Sequence, residues 1–190
     1  MIPVFQTRYA AATFGNCFEA CVASILEVPL SSVPDRSALV DADAWADLVN
    51  QAQIAGGDQA VGDLALPTEY EAGEQALRTW LEERGLAWLD LWIGKAADEI
   101  PEGRWLEVAA VVFASGYWIA HTRTSPTATS HATVWHGATV AHNPHRGWLA
   151  DRALGPLHAA TLLVAADPAL LARTLEPLPD IAGELARVAA

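Results

Sequence analysis

The segment Gly15–Glu27, GNCFEACVASILE, decides the first part of the fold. Asn16 is a residue type that favours the N-cap of a helix, and the apolar residues after it recur at helical spacing. The pattern predicts a helix from about Asn16 to Glu27, which ends before Pro29 because a proline disfavours helical conformation in the residue that precedes it. This helix carries Cys17 in its first turn, and its apolar stripe consists of Cys21, Val22, Ile25 and Leu26.

Two further helices are expected before residue 86, after an extended segment over residues 1–15. The first runs from Asp41 to Ala55 and is stopped by the pair Gly56-Gly57, so that residues 56–68 form a loop. The second runs from Glu69 to Arg84, with Gly85 as its C′ residue. The residues expected to face inward are Trp45, Leu48, Val49 and Ala52 in the first helix and Ala76, Leu77, Trp80 and Leu81 in the second.

Short β-rich segments replace the helical pattern after residue 85. They predict strands over Leu86–Ile93, Val108–Phe113, Trp118–Thr122, His131–Trp135, Thr139–His142 and Leu157–Ala165. We expect the second and third to pair across a turn at Ser115-Gly116, and the fourth and fifth to form a hairpin over His136-Gly137. Thr124–Ser130 is expected to be a loop and Pro168–Ala190 a helical tail.

Helices followed by a series of antiparallel strands are typical of an α+β fold. With 190 residues and a hydrophobic fraction of 52%, the chain is expected to form a single domain. Within residues 1–190 we expect a mainly helical part over 1–85, an antiparallel sheet over 86–166 and a helical tail over 167–190.

The net charge of −12 argues against nucleic acid or an anionic membrane as a partner. Both kinds of partner are negatively charged and bind basic surfaces, and the sequence has no basic stripe that would form one. No apolar run reaches the length of a membrane span, and the first residues lack the pattern of a secretory signal. The two cysteines, Cys17 and Cys21, are too few for a disulfide scaffold, and helical geometry places them badly for a bridge. We therefore expect free thiols and a cytoplasmic location.

Cys17 is the first candidate for chemistry. At the start of a helix, the unpaired backbone N–H groups and the helix dipole favour the thiolate, which is the nucleophilic form of cysteine. Gly15, a small residue just before it, leaves space for a substrate. The alternative is a structural cysteine, because most cysteines pack in protein cores.

His131 opens a predicted strand, and Asn143 ends the strand that pairs with it. A hairpin turn at 136–137 pairs positions whose numbers sum to about 273 or 274, so His131 and Asn143 should lie roughly opposite each other. The amide can then accept a hydrogen bond from one imidazole nitrogen and leave the other facing Cys17. A nucleophile, a base and an orienting residue are the parts of an activated thiol.

Two segments resemble the papain-like cysteine peptidases. They are Asn16–Pro34 (NCFEACVASILEVPLSSVP) and His131–His145 (HATVWHGATVAHNPH), which together cover about a fifth of the chain. The sequence is similar to the small bacterial and phage-encoded proteins of this superfamily, and to the leader peptidases fused to bacteriocin exporters. The resemblance implies a helical lobe packed on an antiparallel sheet, with the active site between them.

The same resemblance implies a role for each candidate residue. Cys17 would be the nucleophile, His131 the base and Asn143 the orienting residue, a position where many small bacterial relatives carry Asp. The family also has an oxyanion-hole glutamine before its cysteine. Gln6 is the candidate here, although it lies eleven residues before Cys17, which is farther than usual, and an exposed glutamine on the leading segment is the alternative.

The expected activity is acyl transfer on a peptide or amide substrate, with a thioester on Cys17 that water clears. A peptidase is the first expectation, and amidase or transglutaminase-like chemistry uses the same three groups. A non-catalytic binding module on the same scaffold is the alternative from a different class. No cofactor is expected, because His142 and His145 have no cysteine or carboxylate close by in sequence to complete a metal shell. His121 is expected to be an ordinary strand residue.

Overall fold

The computed structural model describes residues 1–8, 15–92, 113–114, 116–122, 130–146 and 157–166. Over these ranges, three N-terminal helices pack on a five-stranded antiparallel sheet, which confirms the predicted α+β class. The helices are α1 (Cys17–Leu26), α2 (Ala42–Gly62) and α3 (Thr68–Glu82), with a 3-10 turn at Leu30–Ser32. The strands are β1 (Leu86–Trp92), β2 (Tyr117–Thr122), β3 (His131–His136), β4 (Thr139–His142) and β5 (Leu157–Ala165).

The strands lie in the order β1-β5-β2-β3-β4, and each neighbouring pair is antiparallel. β5 therefore inserts between β1 and β2. Consequently β2 has β5 and β3 as its neighbours, instead of the expected Val108–Phe113, of which only Phe113 lies within the described residues. Residues 124–129 of the predicted loop and the whole predicted tail, Pro168–Ala190, also lie outside the described residues.

Alternation along the strands gives the sheet two apolar faces. One face carries Ile119, Ala132 and Val134 and is covered by α1, whose Phe18 is only 1% exposed. Full burial of a side chain of this size stabilises a fold by about 1.5–3 kcal/mol, so this contact holds α1 on the sheet. The opposite face carries a second cluster, which consists of Trp118, Ala120, Trp135, Leu157 and Ala160.

Asn16 occupies the N-cap position of α1, as predicted, but its side chain makes no capping hydrogen bond. Its Oδ1 accepts the backbone N–H groups of Thr7 and Arg8, both at 3.0 Å, and its Nδ2 donates to Thr7 Oγ1 at 3.1 Å. The predicted N-cap position is therefore confirmed, but the Asn16 side chain does not cap the helix. The amide satisfies the backbone of the leading segment in place of its own helix, and it ties residues 7–8 to the start of α1.

α2 continues beyond its predicted stop. Only Gly57 leaves the helical conformation, with φ 64° and ψ −151°, and helical backbone resumes after it. Glycine takes this conformation at little steric cost, so it kinks the helix without ending it. The loop expected over 56–68 is therefore reduced to 63–67, and two residues expected to face inward, Leu48 and Ala76, are exposed. None of the described helices combines the length and apolar character needed to span a membrane.

Gly73 lets α3 approach the chain closely at Arg36. A Cβ atom built on Gly73 would lie 2.2 Å from the carbonyl oxygen of Arg36 and 2.6 Å from its carbonyl carbon and its Cα. These are backbone atoms, which cannot move aside as the end of a side chain can. The absence of a side chain at Gly73 therefore fixes how α3 packs on the segment between α1 and α2.

We expect Gly73→Ala to destabilise the protein by about 1–3 kcal/mol, because the added methyl group overpacks a backbone contact. Helix propensity acts in the opposite direction, since alanine is better than glycine by about 1 kcal/mol at an exposed helical site. Urea unfolding of both proteins measures the difference. Ala76→Gly, at an exposed site of the same helix, isolates the propensity effect, and a stabilised Gly73→Ala protein would contradict the close approach.

Candidate active site

Cys17 is the first residue of α1, and its side chain is partly exposed. The backbone N–H groups of Ala132 in β3 and of Phe18 interact with its sulfur and lower the pKa of the thiol. β4 pairs with β3 only from Val134 onward, so Ala132 lies beyond the end of that pairing. The sulfur therefore contacts the peptide group that joins Ala132 to His131, at the end of the sheet where the predicted base begins β3.

His131 is hydrogen-bonded to Asn143, with 2.9 Å between Nε2 and Oδ1. The same oxygen also accepts the backbone N–H of His145 at 3.0 Å. A backbone N–H can only donate, so this second bond identifies the amide atom as the oxygen, and Nε2 must supply the hydrogen of the first bond. In neutral His131 the proton is therefore on Nε2, and Nδ1 carries the lone pair that can accept a proton.

The contact expected between His131 and Asn143 is present, although the hairpin register differs from the one used to predict it. The turn lies at Gly137-Ala138, with Gly137 at φ 53°, one residue later than expected. The pairing of β4 with β3 also shifts at a bulge that leaves Ala141 without a partner strand residue. Bulges redirect the side chains that follow them, and Asn143 lies two residues after this one.

Residues 4–8 connect α1 to the end of the sheet. At the sheet, the Gln6 N–H donates to the carbonyl oxygen of Pro144 at 3.1 Å. At the helix, the Val4 N–H donates to Ser24 Oγ at 2.8 Å, in addition to the two bonds that the N-cap asparagine accepts. Helix α1 and the hairpin of β3 and β4 are therefore held by the same short segment.

The side chain of Gln6 is 6% exposed, so the alternative of an exposed glutamine is wrong. Its Nε2 donates to the carbonyl oxygen of Arg8 at 3.2 Å, which leaves one amide hydrogen for another acceptor. Its Oε1 is buried without a hydrogen-bond partner in the described part of the chain. Because residues 7–8 bond to Asn16, the chain near Gln6 returns to the neighbourhood of Cys17, as the oxyanion-hole role requires.

The two histidines weighed as metal ligands have structural contacts. His142 Nε2 lies 2.8 Å from the carbonyl oxygen of Val4, and its ring packs edge-on against Phe5 at 5.2 Å. The ring of His145 lies 6.3 Å from that of His131. Within the described ranges, no group of three or more His, Cys, Asp or Glu is placed to hold a metal ion.

Burial raises the pKa of the Cys17 thiol above its ordinary value. The N–H of Ala132 and the positive charge of Arg36 lower this pKa, and the negative charge of Glu19 raises it, but none of them cancels the effect of burial. The expectation that Cys17 is a thiolate because it lies at a helix start is therefore wrong for the resting protein. Burial likewise raises the pKa of Cys21, to well above its ordinary value.

Burial also lowers the pKa of His131. The hydrogen bond to Asn143 raises this pKa and the nearby His145 lowers it, and burial has the largest effect. A raised thiol pKa and a lowered imidazole pKa both favour the uncharged forms. At rest, Cys17 is therefore a neutral thiol and His131 a neutral imidazole.

Sequence reasoning did not single out the buried ion pair beside Cys17. Glu19 is 1% exposed, and its Oε1 accepts hydrogen bonds from Arg36 Nε at 2.8 Å and from the Arg36 backbone N–H at 3.3 Å. Its Oε2 is buried and has no hydrogen-bond partner among the described residues. The sequence did contain a sign of a buried charge, because Glu19 is the one charged residue from Cys17 to Leu26.

A chain of polar side chains lies under α1 on the same face of the sheet. Thr161 donates its hydroxyl hydrogen to Asp90 Oδ1 at 2.5 Å, so its oxygen must accept the hydrogen of His121 Nε2, 2.9 Å away. The ring of His121 stacks on Phe18, with 5.5 Å between the centroids. His121 was expected to be an ordinary strand residue, but it supports the residue that follows Cys17.

Comparisons with known proteins found no match: no protein family, no curated protein and no solved structure matches the chain. The resemblance to papain-like peptidases therefore stays a prediction. The function of the chain has to be inferred from the geometry around Cys17, His131 and Asn143.

We expect iodoacetamide to alkylate Cys17 faster than Cys21, because only Cys17 is partly exposed and because the pKa of Cys21 is raised further. The rate at Cys17 should rise with pH through a midpoint above that of an ordinary cysteine, about 8.5. Mass spectrometry of the labelled peptides measures both rates. Cys17→Ser and Cys21→Ser proteins assign each adduct, and equal rates at the two positions would contradict the burial difference.

We expect the free energy of unfolding to fall as the pH is lowered below about 6.5, the ordinary pKa of histidine. Between that value and the lowered pKa of folded His131, the unfolded chain binds a proton that the folded chain does not, so protonation favours unfolding. Urea unfolding at several pH values measures the slope. His131→Gln should reduce it, whereas His136→Gln, at an exposed position, should leave it unchanged, and equal slopes in all three proteins would contradict a buried neutral His131.

Proposed function

We propose that the protein is a thiol hydrolase that cleaves a peptide or amide bond through Cys17, His131 and Asn143. The Cys17 sulfur attacks the carbonyl carbon, the bond to the leaving nitrogen breaks, and a thioester remains. Water then attacks the thioester and releases the acid. The proposal also assigns the helices and antiparallel sheet to the papain-like architecture, with the site at the junction of α1 and β3.

The observation that carries this proposal is the fixed proton position on His131. Asn143 Oδ1 accepts from both Nε2 and the backbone N–H of His145, so Nδ1 is left as the basic nitrogen. A general base must have a lone pair directed away from its orienting partner, which is the arrangement in an activated Cys–His pair. The contact of the Cys17 sulfur with the N–H of Ala132 supports the proposal, because that N–H belongs to the residue next to the base.

The neutral resting pair determines the order of proton movements. His131 Nδ1 takes the proton of the thiol as the sulfur attacks, so that charge develops only in the transition state. The imidazolium then returns this proton to the leaving nitrogen as the carbon–nitrogen bond breaks. In the second half of the reaction, Nδ1 takes a proton from water and returns it to the sulfur of Cys17.

The tetrahedral intermediate needs hydrogen-bond donors for its oxyanion. The backbone N–H of Cys17 lies at the start of a helix, where N–H groups have no partner within the helix. Gln6 supplies the second donor in this proposal, through the amide hydrogen that the carbonyl oxygen of Arg8 does not use. A neutral amide suits this position, because it donates without protonating the thiolate.

One observation favours a second function, a non-catalytic binding module. The raised pKa of Cys17 means that little thiolate is present at neutral pH. A cysteine retained only for packing would have the same property. The two functions differ in whether Cys17 forms an acyl adduct with an amide substrate.

The test is turnover of a peptide mixture. New amino termini are identified by mass spectrometry, and the thioester on Cys17 is trapped by acid quenching. We expect Cys17→Ala and His131→Ala to abolish turnover, and Asn143→Ala to retain part of it, because an orienting residue does not itself react. Asn143→Asp should be tolerated, since a carboxylate also accepts from Nε2.

Gln6→Ala serves in the same assay as the test of the second oxyanion donor. Loss of one such donor lowers kcat by roughly 10²–10³, while the alkylation rate of Cys17 should stay close to that of the wild type. His136→Ala, at an exposed position of β3, is the matched control for the histidine variants. Identical products from wild-type and Cys17→Ala proteins would favour the binding module.

A further inference from the structure

Arg36 lies against the first turn of α1. Its guanidinium carbon is 4.1 Å from the centroid of the Phe18 ring and 5.3 Å from that of Tyr70, and its Nε donates to Glu19 Oε1 at 2.8 Å. Three contacts from two helices, α1 and α3, therefore fix the plane of the guanidinium group. Phe18 is the residue next to Cys17, so this positive charge lies beside the candidate nucleophile.

The far edge of this guanidinium group has no hydrogen-bond partner among the residues that the structure describes. Glu19 engages only Nε, and the two terminal nitrogens, Nη1 and Nη2, make no hydrogen bond to any described residue. The side chain of Arg36 keeps 14% of its surface exposed, whereas that of Glu19 keeps 2%. The arginine is thus the more exposed member of this largely buried ion pair.

The electrostatic contacts of Cys17 place it in the same cluster. Arg36 lowers the pKa of Cys17, and Cys17 in turn raises the pKa of Arg36 and of Tyr70. These mutual effects require short separations between the groups. Together with the ring contacts, they place Arg36 close to Cys17.

We infer that Arg36 is a specificity-determining residue that binds a carboxylate of the substrate through Nη1 and Nη2. This inference rests on the proposed hydrolase function and adds a substrate class, peptides or amides that carry a carboxylate close to the scissile bond. Two parallel N–H donors match the two oxygens of a carboxylate, a geometry that lysine does not offer. The chain as a whole has a net charge of −12, so the positive charge of Arg36 attracts a substrate carboxylate only at short range.

The test compares two alkylating reagents of nearly equal size, iodoacetate and iodoacetamide, at Cys17 and at about pH 8, where ordinary histidine is neutral. Both reagents react with the same thiolate, so the ratio of their rates is independent of the pKa of Cys17. We expect this ratio, divided by the ratio for N-acetylcysteine, to exceed one in the wild type. It should fall roughly tenfold in the double variant Glu19→Gln/Arg36→Gln, which leaves no unpaired carboxylate in the interior.

Arg36→Lys is the second variant. It keeps the positive charge that pairs with Glu19, so its result can be interpreted even if the double variant does not fold. It should retain only part of the preference for iodoacetate, because lysine lacks the paired donors. Arg78→Gln is the matched control, since Arg78 also lies over an aromatic ring, at 3.9 Å from that of Trp88, but is paired with Glu74. Its ratio should equal that of the wild type.

A second arm identifies the source of the carboxylate. Ac-Gly-Asp-NH2 and Ac-Gly-Gly-OH are compared with Ac-Gly-Asn-NH2 and Ac-Gly-Gly-NH2 for protection of Cys17 against iodoacetamide. Protection by the first acid assigns the subsite to an acidic side chain, and protection by the second assigns it to a C-terminal carboxylate. Equal behaviour of each acid and its amide would count against the inference.

The two proposals fail in different ways. If Cys17 reacts with neither reagent, both the hydrolase function and the carboxylate subsite are wrong. If Cys17 reacts with both reagents and the ratio is the same in the wild type and in the double variant, Arg36 does not bind carboxylates, and the hydrolase proposal is untouched.

Discussion

The side chain of Asn16 accepts the backbone N–H groups of two residues of the leading segment, and the position of α1 relative to the end of the sheet depends on these bonds. The same segment bonds to Ser24 of α1 and to Pro144 after β4. Without it, Cys17 would be held near β3 by apolar packing, which is not directional, and by the interaction of its own sulfur with the N–H of Ala132. The hydrogen bonds of Asn16 supply further direction, and they do so at the residue that precedes Cys17.

The buried pair of Glu19 and Arg36 adds a constraint of a different kind. Placing charges in an interior is costly, and a buried ion pair often contributes little or nothing to net stability compared with an apolar pair of similar volume. The pair here also leaves Glu19 Oε2 without a partner in the described structure, which increases that cost. Such an arrangement suits a group that is kept for its charge and its position beside Cys17.

Local sequence patterns predicted those helices and strands whose formation depends on residues close together in sequence. The helical spacing after Asn16 predicted α1, and the bounds predicted for β5, Leu157–Ala165, are those observed. The partner of β2 was not predictable in this way, because strand pairing is set by contacts between residues far apart in sequence. The extension of α2 past Gly57 also depends on the surrounding structure, since the same glycine can either end a helix or kink it.

In the candidate site, too, one feature was predictable from local sequence and another was not. The contact between His131 and Asn143 follows from the hairpin, and a register error of one or two residues did not remove it. The charge state of Cys17 did not follow from its place at a helix start. Desolvation by burial has the largest effect on its pKa, and the charges of Glu19 and Arg36, which act on the thiol in opposite directions, are brought close to it by the fold.

The uncharged state of Cys17 also governs its behaviour towards oxidants. Peroxides attack thiolates, so the raised pKa of Cys17 slows the formation of sulfenic acid there. Cys21, the other cysteine of the chain, lies one helical turn away with its side chain roughly parallel, a poor geometry for a disulfide that would rescue an oxidised sulfur. The burial that keeps the Cys17 sulfur protonated is therefore also what protects it from peroxides.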